Sequence, residues 1–264
     1  MEPGGGEAPP RKDRSTVEGA VYFLIDGNGT EISAGPFLIP VARSLAATET
    51  AAAAMHALLA GPDTGEAASR PGLSTAIPAG TRLIALEVEG GVASLDLSAE
   101  FLSGGGSFSM RARLAQVIFT LTRFPDVSAV AISVGGVPMS VFGGEGVEIA
   151  VPADRTGFDD LLPAIAIESP PYGGLLAPSA MVVGSAVAFE ATLEYVITDA
   201  DGLIIFEGFE TASCGSGCRG FYGFTAEYEV DRPQMGALIV FAESAEDGGQ
   251  QDVMEYPVAL LPSD

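Results

Sequence analysis

The chain has 264 residues and a formal net charge of −23, from 35 acidic and 12 basic residues. So acidic a surface repels phosphates and anionic lipid headgroups, which excludes nucleic acid as a main partner. Hydrophobic residues make up 47% of the chain, which indicates a folded globular protein, and this length suits one large domain or two small ones.

The beginning of the chain is rich in Gly and Pro and poor in apolar residues. Such a segment cannot bury apolar surface, and we expect residues 1–19 to form a disordered leader. No apolar run approaches the roughly 20 residues that a membrane-spanning helix needs. The first residues are either a native leader or the point at which a signal peptide and membrane anchor were removed. Any contact with a membrane is expected through an anchor that lies outside this chain.

Residues 20–150 show the pattern of an α+β module. A buried strand is predicted at 21–25 and an edge strand at 38–45, because Pro40 lacks the N–H that an inner strand must donate. A helix is predicted over 49–60, with Thr48 as its N-cap. Its buried stripe is predicted to consist of residues at helical spacing, namely Ala52, Met55 and Leu59, helped by Ala51 and Leu58.

A hairpin and a second helix complete this module. Apolar and polar residues alternate at 84–88 and 93–97, around a turn at 89–91. The second helix is predicted over 109–123 and is followed by a strand at 127–134. Its predicted buried stripe consists of Met110, Leu114, Val117, Ile118 and Leu121. Two amphipathic helices packed on a mostly antiparallel sheet give an α+β fold.

The pattern changes near residue 150. Residues 151–163 hold several Pro, Gly and Asp residues and are interpreted as a linker. No helical period follows over 164–264, where short alternating strands separated by turns indicate an all-β sandwich. One of these strands, at 189–197, alternates strictly except at Val196, an apolar residue on the polar face.

Several stretches resemble the GerMN domain of sporulation and spore germination proteins, namely 21–24, 58–62, 77–81, 92–101 and 120–127. Others resemble the immunoglobulin-like domain that accompanies it, namely 167–171, 187–192, 201–202 and 257–260. The resemblance implies an exported cell-envelope protein, often a lipoprotein, that assembles with other proteins. It implies no established catalytic activity, so no catalytic, cofactor-binding or metal-binding residue is assigned.

The two cysteines, Cys214 and Cys218, are separated by Gly-Ser-Gly. This spacing differs from the Cys-x-x-Cys of redox enzymes, and the chain has no second pair to complete a zinc site. A local disulfide is predicted, which implies an oxidising, extracytoplasmic compartment.

Other polar residues are interpreted as structural. His56 has no His or Cys partner for catalysis or metal binding, and 199–202 lacks the Glu that would close a calcium loop. Asp96 and Glu100 lie four residues apart, but such a pair carries little weight in so acidic a chain, and Asp96 is expected to cap the turn at Ser98. The glycines at 104–106 are expected to form a hinge or mobile loop.

The three arginines of the second helix, Arg111, Arg113 and Arg123, are expected on or near its polar side. There they could receive an acidic partner or pair with local carboxylates.

The sequence predicts a non-catalytic interaction or assembly protein, exported and lipid-anchored in its full-length precursor. Expected partners are envelope proteins or further copies of the chain; the alternative is a cell-wall glycan or peptide bound between the domains. The candidate contact surface is the loop that carries the cysteine pair, because aromatic and Arg side chains often dominate binding. Its candidate contact residues are Phe209, Arg219, Phe221 and Tyr222.

Overall fold

The computed structural model describes residues 16–26, 35–48, 50–70, 72–142, 146–215 and 217–263. Residues 1–15 of the predicted leader and Glu49 of the first predicted helix lie outside this range. None of the described helices is long and apolar enough to span a membrane.

The N-terminal part is an α+β module. Its helices are α1 (Thr50–Ala60), α2 (Thr64–Ser69) and α3 (Ser107–Leu121). Its strands are β1 (Thr16–Ile25), β2 (Phe37–Ala46), β3 (Leu73–Ser74), β4 (Leu83–Glu89), β5 (Val92–Leu97), β6 (Ala129–Val134), β7 (Val137–Pro138), β8 (Val141–Phe142) and β9 (Val147–Glu148). The sheets have the orders β2-β1-β3, β4-β5-β6-β7 and β8-β9, with β5 parallel to β6 and the other pairs antiparallel.

Helix α3 lies at the centre of this module, between β5 and β6 in the chain, and packs against β1 and α1. Its last two and a half turns are buried almost all round, as expected of a helix covered on every side. Two buried polar side chains join it to β1. Gln116 donates from Nε2 to the carbonyl of Tyr22 at 2.9 Å, and Thr120 Oγ1 accepts from the N–H of Tyr22 at 3.0 Å.

The predicted fold class is confirmed for this module, with shifts at element ends. β1 begins at Thr16, five residues before the predicted strand, so residues 16–19 of the expected leader are already paired with β2. β2 is an edge strand, as Pro40 indicated. Helix α1 buries Ala54, Met55 and Leu58, so its buried face is centred one position away from the predicted stripe.

The C-terminal part is a β-sandwich, which confirms the second half of the predicted fold class. Its strands are β10 (Ile165–Ser169), β11 (Leu175–Leu176), β12 (Met181–Ala186), β13 (Thr192–Thr198), β14 (Ile204–Thr211), β15 (Gly220–Thr225), β16 (Gln234–Glu243) and β17 (Gln250–Leu260). They form a three-stranded sheet, β10-β12-β15, and a five-stranded sheet, β11-β17-β16-β13-β14. The sheets meet where Tyr195 of β13 stacks on Phe224 of β15, with ring centroids 3.6 Å apart.

One prediction for the sandwich was wrong in detail, and one strand was missed. The alternation at 189–197 does not form one strand, because Glu190 and Ala191 have left-handed backbone angles (φ 54° and 60°) in a short 3-10 turn, and Phe189 remains 53% exposed. β12 was not predicted, since Gly184 and Ser185 interrupt its apolar pattern.

The predicted linker, 151–163, is a packed segment. Ala153 exchanges both backbone hydrogen bonds with Val130 of β6, at 2.7 and 2.8 Å. Phe158, Leu161 and Leu162 are buried. The position of a domain boundary within this segment stays a prediction, but the segment itself does not have the exposed backbone of a flexible tether.

Candidate functional site

The connection from β14 to β15 contains Cys214 and Cys218, which form a disulfide with Cα atoms 5.9 Å apart. That separation lies in the usual range for disulfides. Cys214 is half-buried and Cys218 is exposed. The oxidation state in the cell stays a prediction that thiol titration must test.

Arg219, predicted as a contact residue, lies against the three-stranded sheet. Its guanidinium donates to the carbonyl of Pro163 at 2.9 Å and to Ser185 Oγ at 3.3 Å. Burial lowers the pKa of Arg219 below its ordinary value. The side chain therefore ties the start of β15 to the segment that precedes β10, and little of it is left for a partner.

Tyr222, the other predicted anchor, is 5% exposed and points into the sandwich. Its hydroxyl donates to the carbonyl of Ala166 at 3.2 Å, and its ring lies over Gly184, where it leaves no room for a Cβ. Burial raises the pKa of Tyr222 above its ordinary value. The burial of Tyr222 contradicts the prediction that it is an exposed contact residue, whereas Arg219 is half-buried and its role as a contact stays a prediction.

The two remaining candidates, Phe209 and Phe221, are 73% and 75% exposed. They do not share a surface. Phe209 is next to Gly208 in β14, and Gly208 faces Tyr195 inside the sandwich. Phe221 is likewise next to the buried Tyr222 in β15. Neighbouring residues of a strand point to opposite faces of the sheet. Each phenylalanine therefore points outward from a different sheet, and the predicted single contact loop divides into two opposite faces.

Glu168 of β10 is a hub that the sequence did not reveal. Its carboxylate accepts from the hydroxyl of Tyr22 and lies 3.4 Å from Arg123 Nη1 and 3.3 Å from Arg155 Nη1. Arg123 also donates to the backbone carbonyl of Glu168 at 2.9 Å. Two arginines and one tyrosine thus join the sandwich to the α+β module through one carboxylate.

Arg155 completes this network from the packed segment. Its Nε donates to Thr122 Oγ1 at 2.8 Å, and its guanidinium lies over the rings of Phe119 and Tyr22, 4.6 and 5.5 Å from their centroids. Burial, with the charge of Glu168, raises the pKa of Tyr22 well above its ordinary value. Tyr22 therefore stays neutral and serves as a hydrogen-bond donor.

The arginines of α3 have separate roles. Arg111 forms a bidentate pair with Asp160, at 2.7 and 2.8 Å. Arg113 was expected on the polar side, but it is 2% exposed and donates to the carbonyls of Phe101, Ser103 and Gly104, at 2.6, 3.2 and 3.0 Å. Arg113 thereby holds the glycine segment that was expected to form a hinge.

The other polar candidates take structural positions. Asp199 Oδ1 accepts from the N–H groups of Asp201 and Leu203, both at 2.9 Å, which makes the hairpin turn. Asp96 accepts from the N–H of Gly136 at 2.9 Å rather than capping the turn at Ser98. Among the residues described, no group of three or more His, Cys, Asp or Glu side chains is arranged to hold a metal ion.

Comparison with known families gives two matches. The family described as "Sporulation and spore germination" matches residues 20–140, and the "Immunoglobulin-like domain of bacterial spore germination" matches residues 164–249. A search of curated proteins returns no significant match.

Three solved structures are similar in part. The tandem GerMN domains of the sporulation protein GerM from Bacillus subtilis are 17% identical and align over 81% of this chain and 62% of that one, with a TM-score of 0.45. The first GerMN domain of the same protein is 24% identical over 53% of this chain and 98% of that one, with a TM-score of 0.40. A candidate lipoprotein from Clostridium perfringens is 20% identical over 52% and 87% of the two chains, with a TM-score of 0.33.

Proposed function

Because the chain joins a domain of the sporulation and spore germination family to an immunoglobulin-like domain of bacterial spore germination, we propose that it is a non-catalytic, extracytoplasmic interaction protein of the cell envelope. The order of the two family domains is the observation that carries this proposal. Attachment to the membrane through a lipid anchor in a longer precursor is part of the same proposal.

The packing between the two parts supports a scaffold that presents surfaces in fixed positions. Glu168, Arg123, Arg155 and Tyr22 connect them, and Tyr172 adds backbone bonds to β2 at 2.8 and 2.9 Å. A surface on a rigid scaffold loses less entropy when it binds a partner than a surface on a mobile loop.

The experiment is fractionation of the native bacterium that expresses the full-length gene with a C-terminal epitope tag. We expect the protein in the envelope fraction and accessible to protease added to cells whose wall has been removed. A tagged cytoplasmic enzyme serves as control. If the intact protein is recovered in the same fraction as the cytoplasmic control and is protected from protease, the proposed location is wrong.

The second candidate function is binding of a cell-wall glycan or peptide. A cavity of about 430 Å³ lies where β1 and β2 meet Leu175 of the sandwich, within the usual size range of small-molecule sites. Its polar lining comes from Thr16, Glu18, Arg43 and Ser44. Calorimetric titration with muropeptides, repeated with Ser44→Trp to fill the cavity, tests this alternative.

A further inference from the structure

The outer face of the five-stranded sheet combines apolar and acidic side chains in two cross-strand rows. In the first row Glu194 of β13 lies between Phe209 of β14 and Phe241 of β16. In the second row Val196 lies between Glu207 and Ile239, and Ile239 pairs in turn with Glu255 of β17. We call the surface formed by these two rows, together with Glu243 of β16, the outer acidic face.

The apolar part of this face is exposed chiefly on β14, since Phe241 of β16 in the first row is only 4% exposed. Phe209 is 73% exposed, and Ile204 and Met235 at the margin of the face are 57% and 52% exposed. Val196 and Ile239 are half-buried and lie between Glu207 and Glu255 in the second row. Val196, the residue that broke the polar alternation in the sequence, therefore lies beside Ile239 on this face. Exposed apolar side chains bordered by polar groups mark a candidate binding surface.

The carboxylates of the face repel one another. Partial burial raises the pKa of Glu194, and the hydrogen bond with Glu243 and the charges of Glu243 and Glu207 raise it further. None of the ion pairs among the described residues includes these three glutamates. Like charges close together on one face of a sheet are destabilising, and a cation bound beside them would remove that cost.

The negative charge of the outer acidic face limits which kinds of partner can bind there. A second copy packed face to face would bring these glutamates against their equivalents, within a chain of net charge −23. Anionic lipid and nucleic acid are repelled for the same reason. A protein segment with Arg or Lys beside apolar side chains complements both the carboxylates and Phe209.

We propose that the outer acidic face docks a basic, amphipathic segment of a partner protein, with Phe209 covered by its apolar side chains and Glu194 and Glu243 paired with its cations. This inference rests on the proposed interaction function and specifies its surface and the chemistry of its partner.

The test uses a synthetic 11-residue peptide of alternating Arg and Leu as probe, titrated into the folded chain at 150 mM salt and followed by fluorescence anisotropy. Phe209→Ala is expected to weaken binding about tenfold, as for a central aromatic anchor. Glu194→Gln combined with Glu243→Gln is expected to weaken it at least fivefold.

Two matched controls separate this face from general attraction to an acidic protein. Phe221→Ala removes an equally exposed phenylalanine from the opposite sheet, and Glu87→Gln with Glu89→Gln makes the same change in net charge on exposed β4. Both are expected to change affinity less than twofold. Equal losses in the controls and the test variants, or no binding by the unchanged chain, would overturn the inference.

Two further outcomes also count against it. Sedimentation velocity that shows a dimer lost on Phe209→Ala would assign the face to a second copy. Binding of muropeptides that Phe209→Ala abolishes would assign it to the wall. Fractionation of the tagged protein tests the proposed envelope function separately from the proposed docking surface. An envelope location together with non-specific peptide binding would overturn only the docking surface.

Discussion

The hydroxyl of Tyr22 in β1 donates to the carboxylate of Glu168 in β10, so that a buried donor of the α+β module is satisfied by the first strand of the sandwich. The same carboxylate receives Arg123 and Arg155. The two parts of the chain are therefore expected to unfold together, since loss of one part leaves buried polar groups of the other without partners.

Glu168→Ala should destabilise the chain by about 2 kcal/mol or more, because it removes the carboxylate that pairs with Arg123 and Arg155 and leaves the buried hydroxyl of Tyr22 without its acceptor. Urea unfolding followed by circular dichroism measures this change. Arg82→Ala is the control, since the Arg82 side chain is 72% exposed and lies 3.9 Å from Glu100; its effect should stay below about 0.5 kcal/mol. Equal effects of the two substitutions would contradict the hub role.

Arg155 is the only trypsin site within 151–163. If residues 151–163 were the flexible linker that the sequence indicated, protease would cut there and release two folded pieces. The packed segment instead predicts resistance at Arg155 in native buffer and cleavage there in urea. Mass spectrometry of a digestion time course measures both, and early native cleavage after Arg155 would show that the segment opens independently of the two parts.

Tyr222→Ala should lower stability by about 3 kcal/mol, because it leaves a large cavity between the sheets. Tyr222→Phe should cost about 1 kcal/mol, through loss of the hydrogen bond to the carbonyl of Ala166. Phe221→Ala on the exposed side of the same strand is the control and should change the melting temperature little. A melting temperature unaffected by Tyr222→Ala would restore this residue as a surface contact.

The cysteine pair should give no free thiol when unfolded, non-reduced protein is titrated with a thiol reagent. Reduction, or Cys214→Ser with Cys218→Ser, should cost about 2 kcal/mol in the entropic model, since the closed loop is short. The sandwich should stay folded, because the loop contributes little to its core. Two titratable thiols in protein recovered from the envelope would contradict the disulfide.

Asp252 lies in the bulge where β17 shifts register against β16, with a left-handed backbone (φ 53°). Burial raises the pKa of Asp252. Above its raised pKa in the folded protein, Asp252 is ionised and lowers the free energy of unfolding. This loss of stability disappears as pH falls below the ordinary pKa of Asp in the unfolded chain, about 3.9. Asp252→Asn, which tolerates this backbone, should raise the melting temperature by about 1–2 °C at pH 7 and by less at pH 4. An equal change at both pH values would exclude the carboxyl as its cause.

The sequence by itself determined the two kinds of structure and their order. Helical spacing of apolar residues predicted α3, and alternation predicted the β4–β5 hairpin, because these periods follow directly from backbone geometry. In the sandwich, alternation located β13 only in part, because residues 189–191 form a 3-10 turn. The pairing of Cys214 with Cys218 was also accessible, since only two cysteines exist and they lie close in the chain. Pro40 marked an edge strand through the N–H that it lacks.

Only the tertiary structure decided which polar residues are exposed and which are held. Tyr22 and Glu168 meet across 146 positions, and no local period encodes such a contact. Arg113, Arg219 and Tyr222 were expected at the surface because their residue types often are, but nearby carbonyls accept hydrogen bonds from each of them and allow their partial or full burial. The outer acidic face depends in the same way on strand order, which places Phe209, Glu194 and Glu243 of three different strands side by side only after the sheet has formed.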